Sequence, residues 1–367
     1  MVKILVSCLV LNGSKSGYRR IIKNMIEASV STKHNIDYLF IISGPGLASL
    51  GLDPEIDYPN VRVVNTPRSK YFRVLFEQIF IPLYALIYNA EKIFMPATFG
   101  LCFPIRETTT FVHTNTMFIL DRELQGVSRF QGVLQRLLVK ITYYSSHKLL
   151  FTTRQTYKEH TEYCGKKFPE RVLGNGLKPQ NTQVKSKWPY QTLPSNFILT
   201  VSQFYRLKQQ NLVVKLFKEL KEDNIISCDV ELVLVGTIQE QDYFDEIVLM
   251  VGDRDDIRIF HALTDEHLST LFKACASYVF LSSFEGYSLT PAEALLNDKP
   301  ILLSNIPTHK EVYGELANFA DIADERLTKS NFAEFMNNDH EKIDKDVIRQ
   351  KFSFDAFMSR LADFLLE

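Results

Sequence analysis

Hydrophobic residues recur along this chain in short runs that are separated by polar or amphipathic segments of helix length. In the first half the runs cover residues 2–11, 36–43, 61–65, 92–95, 110–113, 148–152 and 171–173. Short, nearly continuous apolar runs are typical of strands that are buried on both faces. The alternation with helix-length segments therefore predicts an α/β fold, with a parallel sheet and crossover helices.

The pattern lapses at residues 185–195, which read KSKWPYQTLPS, and then resumes. Strands are predicted at 197–202, 230–236, 257–260, 278–281 and 300–303, and helices at 211–222, 243–251, 264–274 and 291–296. The lapse predicts a linker, with a first domain over 1–188 and a second over 189–353. Two such domains in tandem predict a cleft, with ligands at the carboxyl ends of the strands.

The length of the chain and its charge distribution agree with two domains whose surfaces face different partners. The chain has 367 residues, of which 46% are hydrophobic, enough for two cores. Residues 1–185 carry 24 Lys and Arg against 13 Asp and Glu, a net +11, and the remainder carries 18 against 30, a net −12. No compact basic run or helix-turn-helix pattern favours nucleic acid. An anionic membrane face or a phosphorylated lipid is the better partner for the basic half.

Cysteines and apolar segments indicate the compartment. The five cysteines are scattered without C-x-x-C spacing, which argues against a disulfide framework and a structural zinc site. The N-terminal MVKILVSCLVL lacks a cleavage site and is interpreted as a buried strand. Residues 79–89, interrupted by Pro82, are too few to span a bilayer. We therefore expect a cytoplasmic protein, with peripheral contact to the inner face of the plasma membrane as an open possibility.

Two glutamates in the segment YVFLSSFEGYSLTPAEALLNDKPILL, residues 278–303, are the strongest candidates for chemistry. Thr290 fits a helix N-cap, Pro291 the first helical position, and Glu293 lies three residues after the cap. The carboxylates of Glu285 and Glu293 would then straddle a helix start, where free N–H groups and the helix dipole suit a pyrophosphate. A capping box between Thr290 and Glu293 is the purely structural alternative.

The same string resembles the signature of glycosyltransferase family 4, which consists of Glu, seven residues and Glu, with Gly-aromatic-small-Leu after the first and Ala after the second. A Pro-x-x-x-Glu-Val element follows at 307–312. The resemblance implies a retaining enzyme of GT-B fold, with two Rossmann-like domains facing a central cleft. It implies that Glu285 contacts the donor sugar's hydroxyls and that Glu293 binds the ribose. The amides of Gly286, Tyr287, Ser288 and Leu289 would meet sugar and phosphate.

The resemblance extends to the other strands of the second domain. The stretch SQFYRLKQQNLVVKLFKEL, residues 202–220, is similar to the family's strand, basic pair and helix. It implies that Arg206 and Lys208 neutralise the donor pyrophosphate, with solvation of a loop as the alternative. ELVLVG ends in Gly236, which the resemblance places close to the ligand, whereas a strand-ending turn is the structural reading.

In the first half the resemblance is thinner. Gly17 follows the first strand, where the family has adjacent glycines, and is expected near the diphosphate or in a plain turn. The strand FVHT is similar to the family's strand that ends in a histidine beside the donor sugar, which implies that role for His113, although Thr114 replaces the usual Asp. The amphipathic segment 354–367 matches a final helix that returns to the first domain.

These features predict transfer of a sugar from a GDP-, UDP- or dTDP-sugar to a hydroxyl of a glycan or lipid-linked acceptor, as in O-antigen, lipopolysaccharide or capsule assembly. A sugar-nucleotide epimerase of the same fold and a non-catalytic scaffold are the rivals. No cofactor is expected. The residues 253–255, Asp-Arg-Asp, precede a strand and are interpreted as a solvated turn rather than a metal site. The aromatic and basic segment 68–88 is either a membrane contact or a core helix kinked at Pro82.

Overall fold

The computed structural model describes residues 1–11, 17–31, 36–52, 56–67, 69–97, 99–113, 129–165, 167–178, 188–190, 192–261, 263–341 and 343–367. The chain forms two compact units. The first consists of Met1–Lys178 together with Phe354–Glu367, and the second of Pro179–Ser353. Among the described residues, no helix has the length and apolar character needed to cross a lipid bilayer.

The first unit is built on a parallel sheet of six strands in the order β3-β2-β1-β4-β5-β6. Its strands are β1 Val2–Ser7, β2 Ile36–Ser43, β3 Val61–Val64, β4 Lys92–Met95, β5 Glu107–Val112 and β6 Lys148–Phe151. Its helices are α1 Gly17–Ser31, α2 Gly44–Leu50, α3 Lys70–Ile87, α4 Arg129–Ser145 and α5 Arg154–Cys164. Apart from the edge strand β3, the strands are largely buried on both faces, as their continuous apolar runs predict.

The second unit repeats this plan with strand order β12-β11-β10-β7-β8-β9, again parallel. Its strands are β7 Phe197–Val201, β8 Glu231–Val235, β9 Ile257–Phe260, β10 Ser277–Phe280, β11 Ile301–Ser304 and β12 Asn318–Ala320. Its helices are α6 Gln210–Glu222, α7 Gln241–Val251, α8 Asp265–Ala274, α9 Thr290–Leu296, α10 Pro307–Tyr313, α11 Glu325–Asn337 and α12 Lys345–Phe352. A 3₁₀ turn, Arg206–Lys208, precedes α6.

The last helix, α13 Phe354–Leu366, belongs to the first unit. Its residues Phe357 and Leu361 are fully buried in the cluster that contains Ile4 and Val6 of β1. The rings of Phe357 and Phe111 of β5 stack with centroids 6.2 Å apart. The amphipathic C-terminal segment therefore completes the first core, as predicted.

The structure differs from the sequence-based prediction at two places, a predicted strand that does not form and a strand that was missed. The apolar run at 171–173 does not form a strand of the sheet. It contributes an isolated bridge between Val172 and Phe151, because three residues make too little pairing to extend the sheet edge. The short strand β12 was not predicted, since its sequence NFA has no distinctive apolar run.

Candidate active site

The candidate site lies in the second unit, where the loop after β10 meets the turn after β7. The amide of Ser283 donates a hydrogen bond to the Leu207 carbonyl at 2.8 Å, and the Ser282 hydroxyl lies 3.0 Å from the same oxygen. Strands β7 and β10 are neighbours in the sheet, so their carboxyl ends lie side by side. This backbone connection brings together two residues that are 77 positions apart, Lys208 and Glu285.

Lys208 and Glu285 form an ion pair through Nζ and Oε1. Their side chains are only 12% and 10% exposed, so the pair is largely removed from water. The Lys208 ammonium also lies 5.2 Å from the ring centroid of Tyr205 and 5.5 Å from that of Phe280. A carboxylate and a cation that were each predicted for donor binding thus occupy one buried position.

The surroundings keep both groups ionised. Burial acts to raise the pKa of Glu285, but the charge of Lys208 and its hydrogen bond to the carboxylate outweigh it and leave the pKa below its ordinary value. Burial acts to lower the pKa of Lys208, but Glu285 and Tyr205 outweigh it and leave the pKa raised. At neutral pH the site therefore offers a carboxylate that accepts hydrogen bonds beside an ammonium that donates them.

His309 of α10 is part of this site, although sequence reasoning missed it. It is fully buried, and burial lowers its pKa to about 4, so the ring is neutral at neutral pH. Its Nε2 lies 3.3 Å from the Ser288 hydroxyl, and its Nδ1 lies 3.0 Å from the Ser304 hydroxyl. The neutral ring thus joins the loop after β10 to the end of β11.

Two further side chains hold the loop that carries Glu285. The Thr308 hydroxyl donates to the Glu285 carbonyl at 2.9 Å, and the Tyr313 hydroxyl donates to the Ser288 carbonyl at 2.5 Å. Ser288 has a positive φ of 67°, a conformation that a non-glycine residue adopts at a cost. The segment PTHKEVY was visible in the sequence, but which of its polar side chains face the loop depends on the exact start of α10.

The rest of the predicted loop lies where the sequence placed it. Gly286, Tyr287, Ser288 and Leu289 connect Glu285 to α9, and each is half-buried. Their partial exposure leaves this loop accessible from solvent, next to a buried charge pair. Neighbouring backbone amides at such a position suit sugar or phosphate oxygens.

The expected N-cap of α9 is wrong. The cap position is Leu289, without a side-chain capping bond, and Thr290 is the first helical residue. The Thr290 hydroxyl instead lies 2.7 Å from the hydroxyl of Tyr278, a buried residue of β10. The Thr290 half of the capping box is therefore not formed. Glu293 is a buried residue of the first turn, 8% exposed.

Arg206 and Lys208 have different partners despite their proximity in sequence. The Arg206 guanidinium pairs with Glu246 of α7 at 2.9 Å and lies 5.4 Å from the ring centroid of Tyr243. It lines a cavity of about 330 Å³ whose lining includes neither Lys208 nor Glu285. Of the two predicted basic residues, only Lys208 therefore pairs with Glu285.

Gly236 follows β8 in a position where only glycine fits. A Cβ at this residue would lie 1.7 Å from the carbonyl oxygen of Ser202. This close approach of two strand ends gives the glycine a structural reason, independent of any ligand.

The candidate site residues predicted in the first half of the chain, Gly17 and His113, belong to the first unit. Gly17 is the first residue of α1, while 12–16 and Thr114 lie outside the described residues. His113 directly follows β5, with its ring 4.1 Å from that of Phe111 between centroids. Burial lowers the pKa of His113 to about 3, so its ring is neutral.

In the turn at 253–255 of the second unit, the Arg254 guanidinium binds both carboxylate oxygens of Asp256, at 2.8 and 2.7 Å.

A comparison with protein families matches most of the second unit. Residues 185–347 match the family described as glycosyl transferases group 1, a range that contains Lys208, Glu285, Glu293 and His309. Among curated proteins, the chain is similar to the O-antigen chain mannosyltransferase RfbU of Salmonella typhimurium. The two are 26% identical over 114 residues, which span 30% of this chain and only 32% of that protein.

Solved structures with the same fold extend over the whole chain. Sucrose-phosphate synthase from Thermosynechococcus elongatus superposes with a TM-score of 0.72 at 15% identity, covering 100% of this chain and 99% of that one. The Anabaena protein HepE, solved in complex with UDP and glucose, gives 0.68 at 15% identity with the same coverage. At this identity the likeness shows the fold. The predicted GT-B type of two Rossmann-like units, with the final helix in the first, is confirmed.

Proposed function

We propose that this protein is a glycosyltransferase that moves a sugar from a nucleotide-sugar donor to a hydroxyl group. The observation that carries the proposal is the buried ion pair between Lys208 and Glu285, located inside the range that matches glycosyl transferases group 1. A buried charge pair is a poor way to stabilise a core, because desolvation offsets much of the attraction. Its position at the carboxyl ends of β7 and β10 is where α/β sheets bind ligands.

The roles proposed for these residues follow from their charge states. Glu285, held ionised, accepts hydrogen bonds from the donor sugar's hydroxyls. Lys208 has three N–H donors, so its bond to Glu285 leaves capacity for a phosphate oxygen. As the glycosidic bond breaks, the leaving nucleoside diphosphate gains negative charge, and the fixed cation stabilises it. The amides of Gly286 through Leu289 provide further donors.

The remaining predicted residues take secondary roles in the proposal. Glu293, a buried residue in the first turn of α9, binds the nucleoside ribose, the role that the resemblance to family 4 implies. His113 lies beside the donor sugar as a neutral ring that exchanges hydrogen bonds rather than charge. Gly17 and Arg206 are retained as donor contacts only through the resemblance to family 4, and Gly236 shapes the strand end beside the site. His309 is a positioning residue for the loop.

The finer features of the reaction rest on the relatives. Retention of configuration follows the resemblance to family 4, with a donor phosphate oxygen taking the acceptor's proton and no metal required. The similarity to an O-antigen mannosyltransferase favours a hexose donor and an acceptor in surface polysaccharide assembly, either a glycan or a lipid-linked oligosaccharide. The structure of HepE with UDP and glucose makes UDP-sugars the first donors to test, followed by GDP- and dTDP-sugars.

Donor-hydrolysis assays test the proposal and separate it from its rivals. The protein is incubated with a panel of UDP-, GDP- and dTDP-sugars, and released sugar and diphosphate are followed by mass spectrometry. Without an acceptor, a glycosyltransferase releases free sugar and diphosphate slowly. When a hydroxyl acceptor is added, diphosphate is released faster and the sugar appears bonded to the acceptor. An epimerase alters the sugar without needing acceptor. A scaffold gives neither reaction, and UDP, GDP and dTDP do not stabilise it against thermal unfolding. A nucleotide that does bind, at about 100 times its Kd, would raise the free energy of unfolding by roughly 2.7 kcal/mol.

A further inference from the structure

Helix α3 of the first unit presents a stripe of apolar side chains to solvent. Its members are 43–64% exposed and recur at helical spacing: Phe72, Leu75, Ile79, Leu83 and Leu86. The opposite side of the helix is used for packing, since Ile81 and Ala85 are fully buried against β1, β2 and β4. The helix is therefore apolar on both sides, which is unusual for a helix with one side in water.

Helix α4 has a second exposed stripe. Val133, Leu137 and Ile141 lie four residues apart and are 56%, 52% and 39% exposed. Its buried side, with Val139 and Tyr143, packs on β5 and β6. Among the described residues, two helices of one unit thus expose a row of apolar side chains.

Both helices cover the same face of the sheet. Residues of α3 pack on Ile93 and Met95 of β4, whereas the neighbouring Phe94 points to the opposite face, against α13. Met95 is in register with Thr110 of β5, two residues before Val112, so Val112 shares its face. Val112 is in the cluster that packs against α4. The two exposed stripes are therefore parts of one side of the unit.

The segment between β4 and β5 fills the space between these helices. The Gln78 side chain of α3 bonds to the Gly100 carbonyl at 3.0 Å and to the Cys102 amide at 2.6 Å. On the other side, the Ser145 hydroxyl of α4 donates to the Leu101 carbonyl at 2.5 Å. Phe103 follows directly and is 84% exposed. The apolar surface thus continues from α3 through Phe103 to α4.

The charge of this surface has one sign. Within residues 70–87, 99–106 and 129–145 the basic residues are Lys70, Arg73, Arg106, Arg129, Arg136 and Lys140, and the acidic residue is Glu77. Glu77 is buried, at 8% exposure, and bonds to the Ser7 hydroxyl in the interior. Arg106 and Lys140 are exposed. Among the side chains that the structure describes in these segments, the charged groups in the exposed class are therefore positive.

We propose that this surface, formed by the exposed stripes of α3 and α4 together with Phe103, docks the first unit on the surface of an anionic lipid bilayer. Large apolar side chains at helical spacing insert at the level of the headgroups, and the surrounding Lys and Arg pair with lipid phosphates. Contiguous apolar patches on soluble domains mark such interaction sites. The inference is independent of the transfer reaction, although it would bring the enzyme to a lipid-linked acceptor.

Vesicle co-sedimentation of the full-length protein tests the docking. Wild type is mixed with vesicles of phosphatidylcholine alone and of equal parts phosphatidylcholine and phosphatidylglycerol. We expect binding to the anionic vesicles, weakened by salt. Phe103→Ser is expected to lower the partition coefficient roughly tenfold, the factor that about 1.4 kcal/mol represents. Lys140→Ala is expected to lower binding to the anionic vesicles and to reduce its salt dependence.

Matched controls come from the second unit. Leu249 of α7 is 83% exposed, so Leu249→Ser removes a comparable apolar side chain from another surface. Lys273→Ala removes an exposed charge of α8 in the same way. Both are expected to bind like wild type. Equal binding of wild type to neutral and anionic vesicles, or equal effects of Phe103→Ser and Leu249→Ser, overturns the proposal. So does a wild-type dimer, seen by light scattering, that dissociates in Phe103→Ser while vesicles bind neither protein.

Discussion

Lys208 and Glu285 form a buried ion pair that joins the turn after β7 to the loop after β10. The environment of the pair keeps both groups charged. In the proposed reaction, the cation stabilises the leaving diphosphate and the carboxylate binds sugar hydroxyls. Its energetics can be measured separately from any reaction.

Single neutralisation of the pair is expected to destabilise the second unit more than double neutralisation does. Lys208→Met or Glu285→Gln leaves one buried charge without its partner, a cost of about 3–5 kcal/mol. The double variant removes both charges, so we expect it to recover a large part of that loss. Urea unfolding of the four proteins gives the coupling free energy.

The pair of Arg206 and Glu246 is the control, because its side chains are 36% and 37% exposed. We expect a coupling below about 1 kcal/mol in the cycle of Arg206→Met and Glu246→Gln. Equal coupling in both cycles would show that burial does not set the strength of the Lys208–Glu285 contact.

His309 is expected to make the stability of the second unit depend on pH in the mildly acidic range. Its pKa is about 4 in the folded protein and near its ordinary 6.5 when unfolded, so the unfolded chain takes up the proton first. Stability from the neutral ring is therefore complete above pH 6.5 and declines as pH falls to about 4, by on the order of 3 kcal/mol.

Urea unfolding between pH 7 and 4 measures this effect. His309→Gln keeps hydrogen-bonding capacity but does not titrate, so its stability is expected to fall less steeply over the same range. Parallel curves for the variant and wild type would contradict the assignment. Because His113 also has a lowered pKa, at about 3, the second variant His113→Gln shows which part of the wild-type slope belongs to the first unit.

Gly236→Ala is expected to destabilise the second unit by about 3 kcal/mol or more, since the new methyl group would collide with the backbone of Ser202. Gly44→Ala is the matched control, because its Cβ would meet nothing within 4 Å. Thermal unfolding compares them. A Gly236→Ala protein as stable as Gly44→Ala would mean that the strand ends separate easily, and the glycine would then need a ligand-based explanation.

Phe357→Ala tests the attachment of the final helix to the first unit. The side chain is fully buried in the core with Ile4 and Val6, so truncation is expected to cost about 3–5 kcal/mol. Leu366→Ala, at a residue that is 37% exposed, serves as the control. If hydrogen exchange in β1 is the same in both variants, α13 does not support this core.

Much of this architecture was predictable because buried parallel strands produce apolar runs. Strands β2, β4 and β9 have the bounds that the pattern predicts, and helix α13 agrees with its predicted bounds to within one residue. The pair of Lys208 and Glu285 was predicted as two site residues, but not as partners, since contact over 77 positions depends on strand order. His309 was missed because burial, rather than sequence, gives its ring a neutral and fixed state. The Thr290 half of the capping box is not formed, because α9 begins at Thr290 itself and the Thr290 hydroxyl bonds to Tyr278.

The most direct test of the central claim is the donor-hydrolysis rate of Glu285→Gln relative to wild type and to Glu325→Gln, whose carboxylate pairs with Lys215 on the surface. All three proteins are first shown to be folded by circular dichroism. With the best donor of the panel, we expect Glu285→Gln to lose at least about 100-fold in kcat/KM, equivalent to roughly 2.7 kcal/mol, and Glu325→Gln to remain within about twofold. Equal turnover in folded Glu285→Gln and wild type would contradict the assignment of this site to sugar transfer.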